Sequence, residues 1–224
     1  MGNYYQENLN ANGLYQVYQT GIPRIEQYLR AETDYVKKRL TGTEHILEIG
    51  AGYGRIMREL APAAAFVTGI EISEDSVLFG NFYLQDCTNC RLLPMDAYKL
   101  DFHEEFDIVV CLQNGLSAVK GNPAELINRC LSSLKPGGTA YFSTYSEKIW
   151  DTRLEWFREQ ARKGLLGELD EEKTKDGMIY CKDGFCAVTL FRDDLTALGE
   201  SAGCRYEIDE TDESSLFLIL YKDA

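Results

Sequence analysis

The stretch "HILEIGAGYGRIMREL", residues 45–60, constrains the fold more than any other. A short apolar run comes first, then glycines at 50, 52 and 54, then helix-forming residues. A strand, a glycine turn and a helix in that order aim backbone N–H groups and a helix N-terminus at the crevice above a parallel sheet. That arrangement suits a nucleotide-like ligand. The dinucleotide fingerprint G-x-G-x-x-G needs a glycine at 55, where this chain has Arg55, so a nicotinamide-dependent oxidoreductase is disfavoured. Glu48 stands two residues before the first glycine, and a carboxylate in a phosphate cradle is costly. It suits a ligand that is cationic there.

The rest of the chain repeats the strand–helix alternation. "FVTGIEI" (66–72), "RLLP" (91–94), "FDIVVCL" (106–112) and "TAYFSTY" (139–145) read as strands, the third as a continuous apolar run of a central parallel strand. Helices are expected over 53–61, from a Ser73 cap to about 84, and over 123–134 after Pro123. "KPGG" turns the chain before the fifth strand. Then the pattern breaks. Residues 147–163 look helical, "MIYCKDGFCAVTLF" (178–191) looks like a hairpin turning at Lys182-Asp183-Gly184, and "RDDLTALGESAG" is a helix. "RYEIDETD" and "SLFLILYK" close the chain as an antiparallel pair. Upstream, residues 3–20 are Tyr-rich and weakly periodic, and a helix runs from Pro23 to about 40. The expected fold is α/β: a doubly wound, seven-stranded, mostly parallel sheet with an antiparallel last strand. An N-terminal helical lid (1–40) precedes the core (41–146 and 192–224), and a helix plus hairpin (147–191) is inserted after strand five.

Composition narrows the partners. A net charge of -13 repels phosphate backbones, so no nucleic-acid partner is expected without a local basic patch, and the only basic cluster, "KKR" at 37–39, reads as an exposed helix end. The longest apolar stretch, "APAAAFVTGI", is too short to span a bilayer, so no membrane partner is expected. The first ten residues have neither a basic nor an apolar region, and Gln6 stands where myristoylation needs Ser or Thr. The expectation is a cytoplasmic chain, monomeric or homodimeric. Seven cysteines fit reduced thiols better than a disulfide framework, and no metal site is expected of Cys87 and Cys90 with Cys181 and Cys186.

"LEIGAGYG" resembles motif I, E/D-x-G-x-G-x-G, of the class I S-adenosylmethionine (SAM)-dependent methyltransferases. The later motifs follow in order: Glu71 at the end of the second strand, Asp96 in "PMDAY", "FDIVVCLQNGLSAV", "LKPGGTAYFST" and "FRDDLTALGESAGC". The resemblance covers about 40–220. It implies SAM as cofactor, with Gly50, Gly52 and Gly54 near its methionine and ribose and Glu48 near its amino-acid end. Glu71 would hold both ribose hydroxyls, and Asp96 would accept from the adenine amino group beside the backbone N–H of Ala97. Ala51, Arg55, Ile72 and Leu112 would complete the cofactor site. Gln113 and Asn114, past the fourth strand, would line the methyl-transfer site and are the catalytic candidates.

The acceptor is expected to be a small molecule. "LQNGLS" stands where methyltransferases of amide or nucleobase nitrogens carry [DN]-P-P-[YF]. His45 and His103 both fall at the end of the sheet opposite the ligand crevice, so any deprotonation falls to a Tyr, Asp, Glu or water. Tyr5 and Tyr18 in the lid, with Tyr145, Trp150 and Arg153 in the insertion, are the candidate acceptor contacts; aromatics there can hold a sulfonium and exclude water, and Arg153 suits an acceptor carboxylate. Alternative readings are a protein or peptide methyltransferase and a non-catalytic SAM-binding regulatory domain.

Overall fold

The computed structural model describes residues 11–224. Seven strands form one sheet: β1 (His45–Ile49), β2 (Phe66–Glu71), β3 (Cys90–Pro94), β4 (Phe106–Cys111), β5 (Leu134–Tyr145), β8 (Arg205–Thr211) and β9 (Ser215–Tyr221). Their order is β3-β2-β1-β4-β5-β9-β8. β1 pairs in parallel with β2 and β4, β2 with β3, and β4 with β5, while β9 runs antiparallel between β5 and β8. The expected seven-stranded sheet with one antiparallel strand is the sheet observed. The order reverses at β1, so the crevice opens beside the glycine turn, at the carboxyl ends of the strands.

Two apolar layers sandwich the sheet, because alternate strand residues point to opposite faces. Ile46, Val110, Tyr141 and Phe217 pack on one face; Leu47, Val109, Phe142 and Leu218 pack on the other. Among the helices, α1 (Ala11–Val17), α2 (Pro23–Lys37), α3 (Arg55–Leu60) and α4 (Glu74–Tyr83) precede β3, and α5 (Gly115–Ala118) and α6 (Pro123–Ser133) follow β4. Local chemistry sets their starts. Pro23 occupies the first turn of α2, where a missing N–H costs nothing. The Ser73 hydroxyl accepts the Ser76 N–H at 3.3 Å, and the Asn122 side chain accepts the Ala124 N–H at 3.0 Å.

A third core lies outside the sheet sandwich. α7 (Trp150–Arg162) and the hairpin β6 (Met178–Tyr180) with β7 (Cys186–Val188) share it with α1 and α2, through Val17, Tyr28, Tyr145, Trp156, Ile179 and Phe185. The Trp156 indole donates to the Val17 carbonyl at 3.2 Å, and the Thr20 hydroxyl to Glu159 at 2.6 Å. The N-terminal helices and the insertion therefore make one cap. α8 (Arg192–Ser201) returns the chain to the sheet.

Two local readings change. Residues 11–17 form a helix although their sequence period is weak, because α1 is held from outside. Tyr15 packs edge-on against Tyr53 and Phe79 at ring-centre distances of 5.6 and 5.8 Å. "KPGG" is not a turn before β5 but a wide bulge inside it: the pairing jumps from Phe106–Leu134 to Ile108–Thr139. Asp107 pins the bulge, binding the Lys135 ammonium at 2.9 Å and the His45 N–H at 2.8 Å.

Candidate functional site

A cavity of about 340 Å³ opens at the carboxyl ends of β1, β2, β3 and β4. Strand register sets its carboxylates. Glu48 is the fourth residue of β1 and lies beside Gly69 and Val110, whose small or apolar side chains leave it 3% exposed. Burial pushes its carboxyl up to about 8, against the pull of the Arg55 guanidinium. Glu71 ends β2. Its two oxygens accept the Gly52 N–H at 3.0 Å and the Ser73 N–H at 2.8 Å. Burial raises its pKa while those two bonds lower it. Each oxygen keeps a second lone pair for a ligand hydroxyl. Asp96 caps the short turn 97–99 by accepting the Tyr98 N–H at 2.9 Å, with Ala97 buried beside it.

The glycine turn holds this row together. Gly52 has φ of 55°, and a Cβ there would sit 2.7 Å from Cδ2 of Leu14 on α1. Gly54 has φ of 83° and caps α3; a Cβ would sit 2.6 Å from Leu84. Gly54 therefore serves the approach of α4 and does not line the cavity. Glu48, Gly50, Ala51, Gly52, Arg55, Glu71, Ile72, Asp96, Ala97, Leu112 and Gln113 all do. Three of them carry buried polar atoms with no hydrogen-bond partner among the described residues: Oε2 of Glu48, Nη2 of Arg55 and Nε2 of Gln113. Buried polar groups are nearly always satisfied, so a polar ligand fits there.

Tyr18 closes the cavity from the cap. The Arg55 guanidinium lies over its ring at 4.7 Å and pairs with Glu59 at 3.0 Å. Burial pushes the Tyr18 phenol well above its ordinary value, and the same holds for Tyr28, Tyr53 and Tyr145. These phenols stay protonated at neutral pH, so they are donors rather than bases.

The catalytic candidates separate. Gln113 and Asn114 have φ of 55° and 62°, an unusual pair for residues with side chains. Gln113 lines the cavity. Asn114 does not: its amide donates to the Val188 carbonyl at 2.8 Å and accepts the Thr144 hydroxyl at 3.0 Å. Asn114 ties the inserted hairpin to the sheet and lies outside the cavity wall where the catalytic role was expected of it.

The acceptor candidates separate too. Tyr145, Trp150 and Arg153 line a second cavity, about 310 Å³, with Glu147, Asp176 and Phe191; the two linings have no residue in common. Arg153 is 1% exposed. It donates to the Thr189 hydroxyl and the Gly177 carbonyl and lies over the Tyr145 ring at 4.0 Å. It is bound into the cap, not presented to the first cavity. Tyr5 lies outside the described residues. His45 and His103 are exposed, away from both cavities. No cluster of three or more metal-ligating side chains occurs among the described residues, and no helix there is long and apolar enough to cross a membrane.

Sequence reasoning missed Leu14, Tyr53, Ser76, Met95 and Val119 in the cavity wall. Tyr53 had a signal, since it stands inside the glycine motif. Glu32 was missed as well. It stands on the buried face of α2, in line with Ile25, Leu29 and Val36, and is 1% exposed.

Residues 46–138 match the family described as "Methyltransferase domain". A ubiquinone biosynthesis O-methyltransferase of Hydrogenovibrio crunogenus is 34% identical over 102 residues, 44% of this chain and 42% of that protein. The chain thus matches less than half of that relative's length. Among solved structures, the N-methyltransferase NodS of Bradyrhizobium japonicum, in complex with S-adenosyl-L-homocysteine, aligns with a TM-score of 0.62 at 17% identity, covering 100% of both chains. The [4+2]-cyclase SpnF aligns at 0.63 and 16% identity, covering 86% of this chain and 80% of that one. At such identities the likeness is one of fold.

Proposed function

We propose that this chain is a class I SAM-dependent methyltransferase that moves the methyl group of SAM to a small-molecule acceptor. The observation that carries this is the row of Glu48, Glu71 and Asp96 along one cavity, each at the carboxyl end of or just past its own strand, around the turn of Gly50, Gly52 and Gly54. SAM supplies a sulfonium methyl whose transfer leaves the electron pair of the broken C–S bond on sulfur. The protein's part is alignment and exclusion of water, which can provide most of such a rate. Glu71 takes the ribose hydroxyls on its remaining lone pairs. Asp96 and the Ala97 N–H take the adenine edge. Glu48, held protonated by burial in the ligand-free protein, faces the amino-acid end, where the ammonium of a bound ligand would draw it to its ionised form. Gln113 faces the transferring methyl, and Tyr18 with Arg55 closes the acceptor side.

With the tyrosines held protonated, an acceptor that loses a proton must give it to a carboxylate or to water. The name of the H. crunogenus relative favours a hydroxyl acceptor, and that of NodS an amine. The cytoplasm is the compartment we assign, from cysteines that stand as free thiols.

Calorimetric titration with SAM, S-adenosylhomocysteine and NAD tests the reading. Saturable binding of the first two and none of NAD is expected. No SAM binding by folded protein would overturn it. The SpnF likeness keeps a second reading open, a SAM-type fold doing other chemistry on a bound small molecule. Turnover of SAM to its demethylated product with any acceptor separates the two.

A further inference from the structure

Glu32 is a buried carboxyl that the reaction above does not use. It sits on α2, facing the sheet, and neither of its oxygens has a hydrogen-bond partner among the described residues. The hydroxyls of Ser143 on β5, Ser215 on β9 and Tyr28 on α2 face it, and those of Ser215 and Tyr28 are also without a partner there. Ser143 is different. Its Oγ accepts the Gln113 N–H at 2.8 Å, and its carbonyl accepts the Asn114 N–H at 2.9 Å. One serine thus holds both N–H groups of the two consecutive left-handed residues at the cavity. Such a backbone is strained and persists only where its surroundings impose it. With Oγ accepting from Gln113, the Ser143 proton is free to turn elsewhere, and the unpartnered Glu32 carboxyl is the buried acceptor beside it.

We propose that Glu32 is a positioning residue for the Gln113–Asn114 turn, acting through Ser143, and that the turn responds to the protonation of Glu32. An ionised Glu32 draws the Ser143 proton and leaves the Oγ lone pair aimed at Gln113. A protonated Glu32 competes as a donor and loosens that hold. The importance of this turn for methyl transfer rests on the function proposed above; the coupling itself does not. Burial raises the Glu32 carboxyl to about 7 against the pull of the three hydroxyls and Arg55, which places the change in the physiological range. The other titratable groups around it are Tyr18, Tyr28 and Tyr145, whose phenols burial keeps protonated, and Arg55, which stays charged. In the cavity wall burial pushes Glu48 up to about 8 and raises Glu71 as well.

The test is an amide NMR titration of the purified protein, without ligand, following Gln113 and Asn114. In wild type the Gln113 amide shift is expected to move with a midpoint near neutrality. In Glu32→Gln that step is expected to vanish, and in Glu48→Gln to remain. Ser143→Ala, a smaller change, should abolish it too if Glu32→Gln does not fold. A Gln113 amide that does not titrate in wild type overturns the proposal. So does a step that survives in both Glu32→Gln and Ser143→Ala. If the amide titrates as expected but the protein does not bind SAM, the methyltransferase reading fails and the coupling stands.

Discussion

Glu71 shows how one residue serves structure and ligand together. Its oxygens already accept two backbone N–H groups, which fix the carboxylate relative to the glycine turn. Glu71→Ala removes that bracket and both bonds expected to the ribose. A hydrogen bond to a charged group contributes about 1.5–3 kcal/mol, so SAM affinity should fall roughly tenfold or more. Calorimetry on folded protein checks this; unchanged affinity would end the ribose assignment. At this scale the sequence was readable where a motif fixes spacing. Eleven of the cofactor candidates line one cavity because β1, β2 and β4 end in register. Gly54 does not, because a glycine can serve helix packing as well as ligand approach. Asn114, Arg153 and Glu32 were unreadable for a common reason: what each does depends on partners 24–183 residues away.

At the scale of elements, the strands of the sheet were legible and the cap was only partly so. A buried parallel strand shows as an apolar run whatever surrounds it. α1 shows weakly, since seven residues cannot hold a helix alone, and its stability comes from Leu14 on the glycine turn and Tyr15 among Tyr53 and Phe79. That the lid and the insertion share one core was invisible, because their residues lie more than a hundred positions apart. Asn114 is the fastening between this cap and the sheet. Asn114→Leu takes one of two donors from the Val188 carbonyl, which keeps the Ser117 hydroxyl at 2.7 Å, and leaves the Thr144 hydroxyl without its partner, a loss of about 1–3 kcal/mol. The expected outcome is faster amide exchange across residues 178–189, with the β1–β2 amides unchanged. Uniform exchange in all regions would show that cap and sheet open as one unit.

For the whole molecule, Glu32 and Glu48, the two carboxyls raised furthest, make stability depend on pH in an unusual direction. Most of the shifted surface carboxylates, such as Glu44 and Asp107, are lowered by their partners and are ionised in both states above about pH 5. They add nothing to the pH dependence there. Glu32 and Glu48 are raised by burial, to about 7 and about 8. Above pH 5.5 the unfolded chain has released both protons, while the folded chain holds that of Glu32 to about pH 7 and that of Glu48 to about pH 8. The folded state then binds more protons, so unfolding free energy falls as pH rises. The loss begins near the ordinary carboxyl value and continues until each folded group ionises, on the order of 3 kcal/mol for each. With about 2–4 °C of Tm per kcal/mol for a chain of this size, the ligand-free protein should melt several degrees lower at pH 8 than at pH 5.5. Glu32→Gln and Glu48→Gln should each remove part of the difference, since a neutral amide carries no such penalty. Thermal scans of the three proteins at both pH values decide it. A wild-type Tm that stays level or rises with pH would mean that both carboxyls are ionised throughout, and that the fold supplies them with a positive partner in place of a proton.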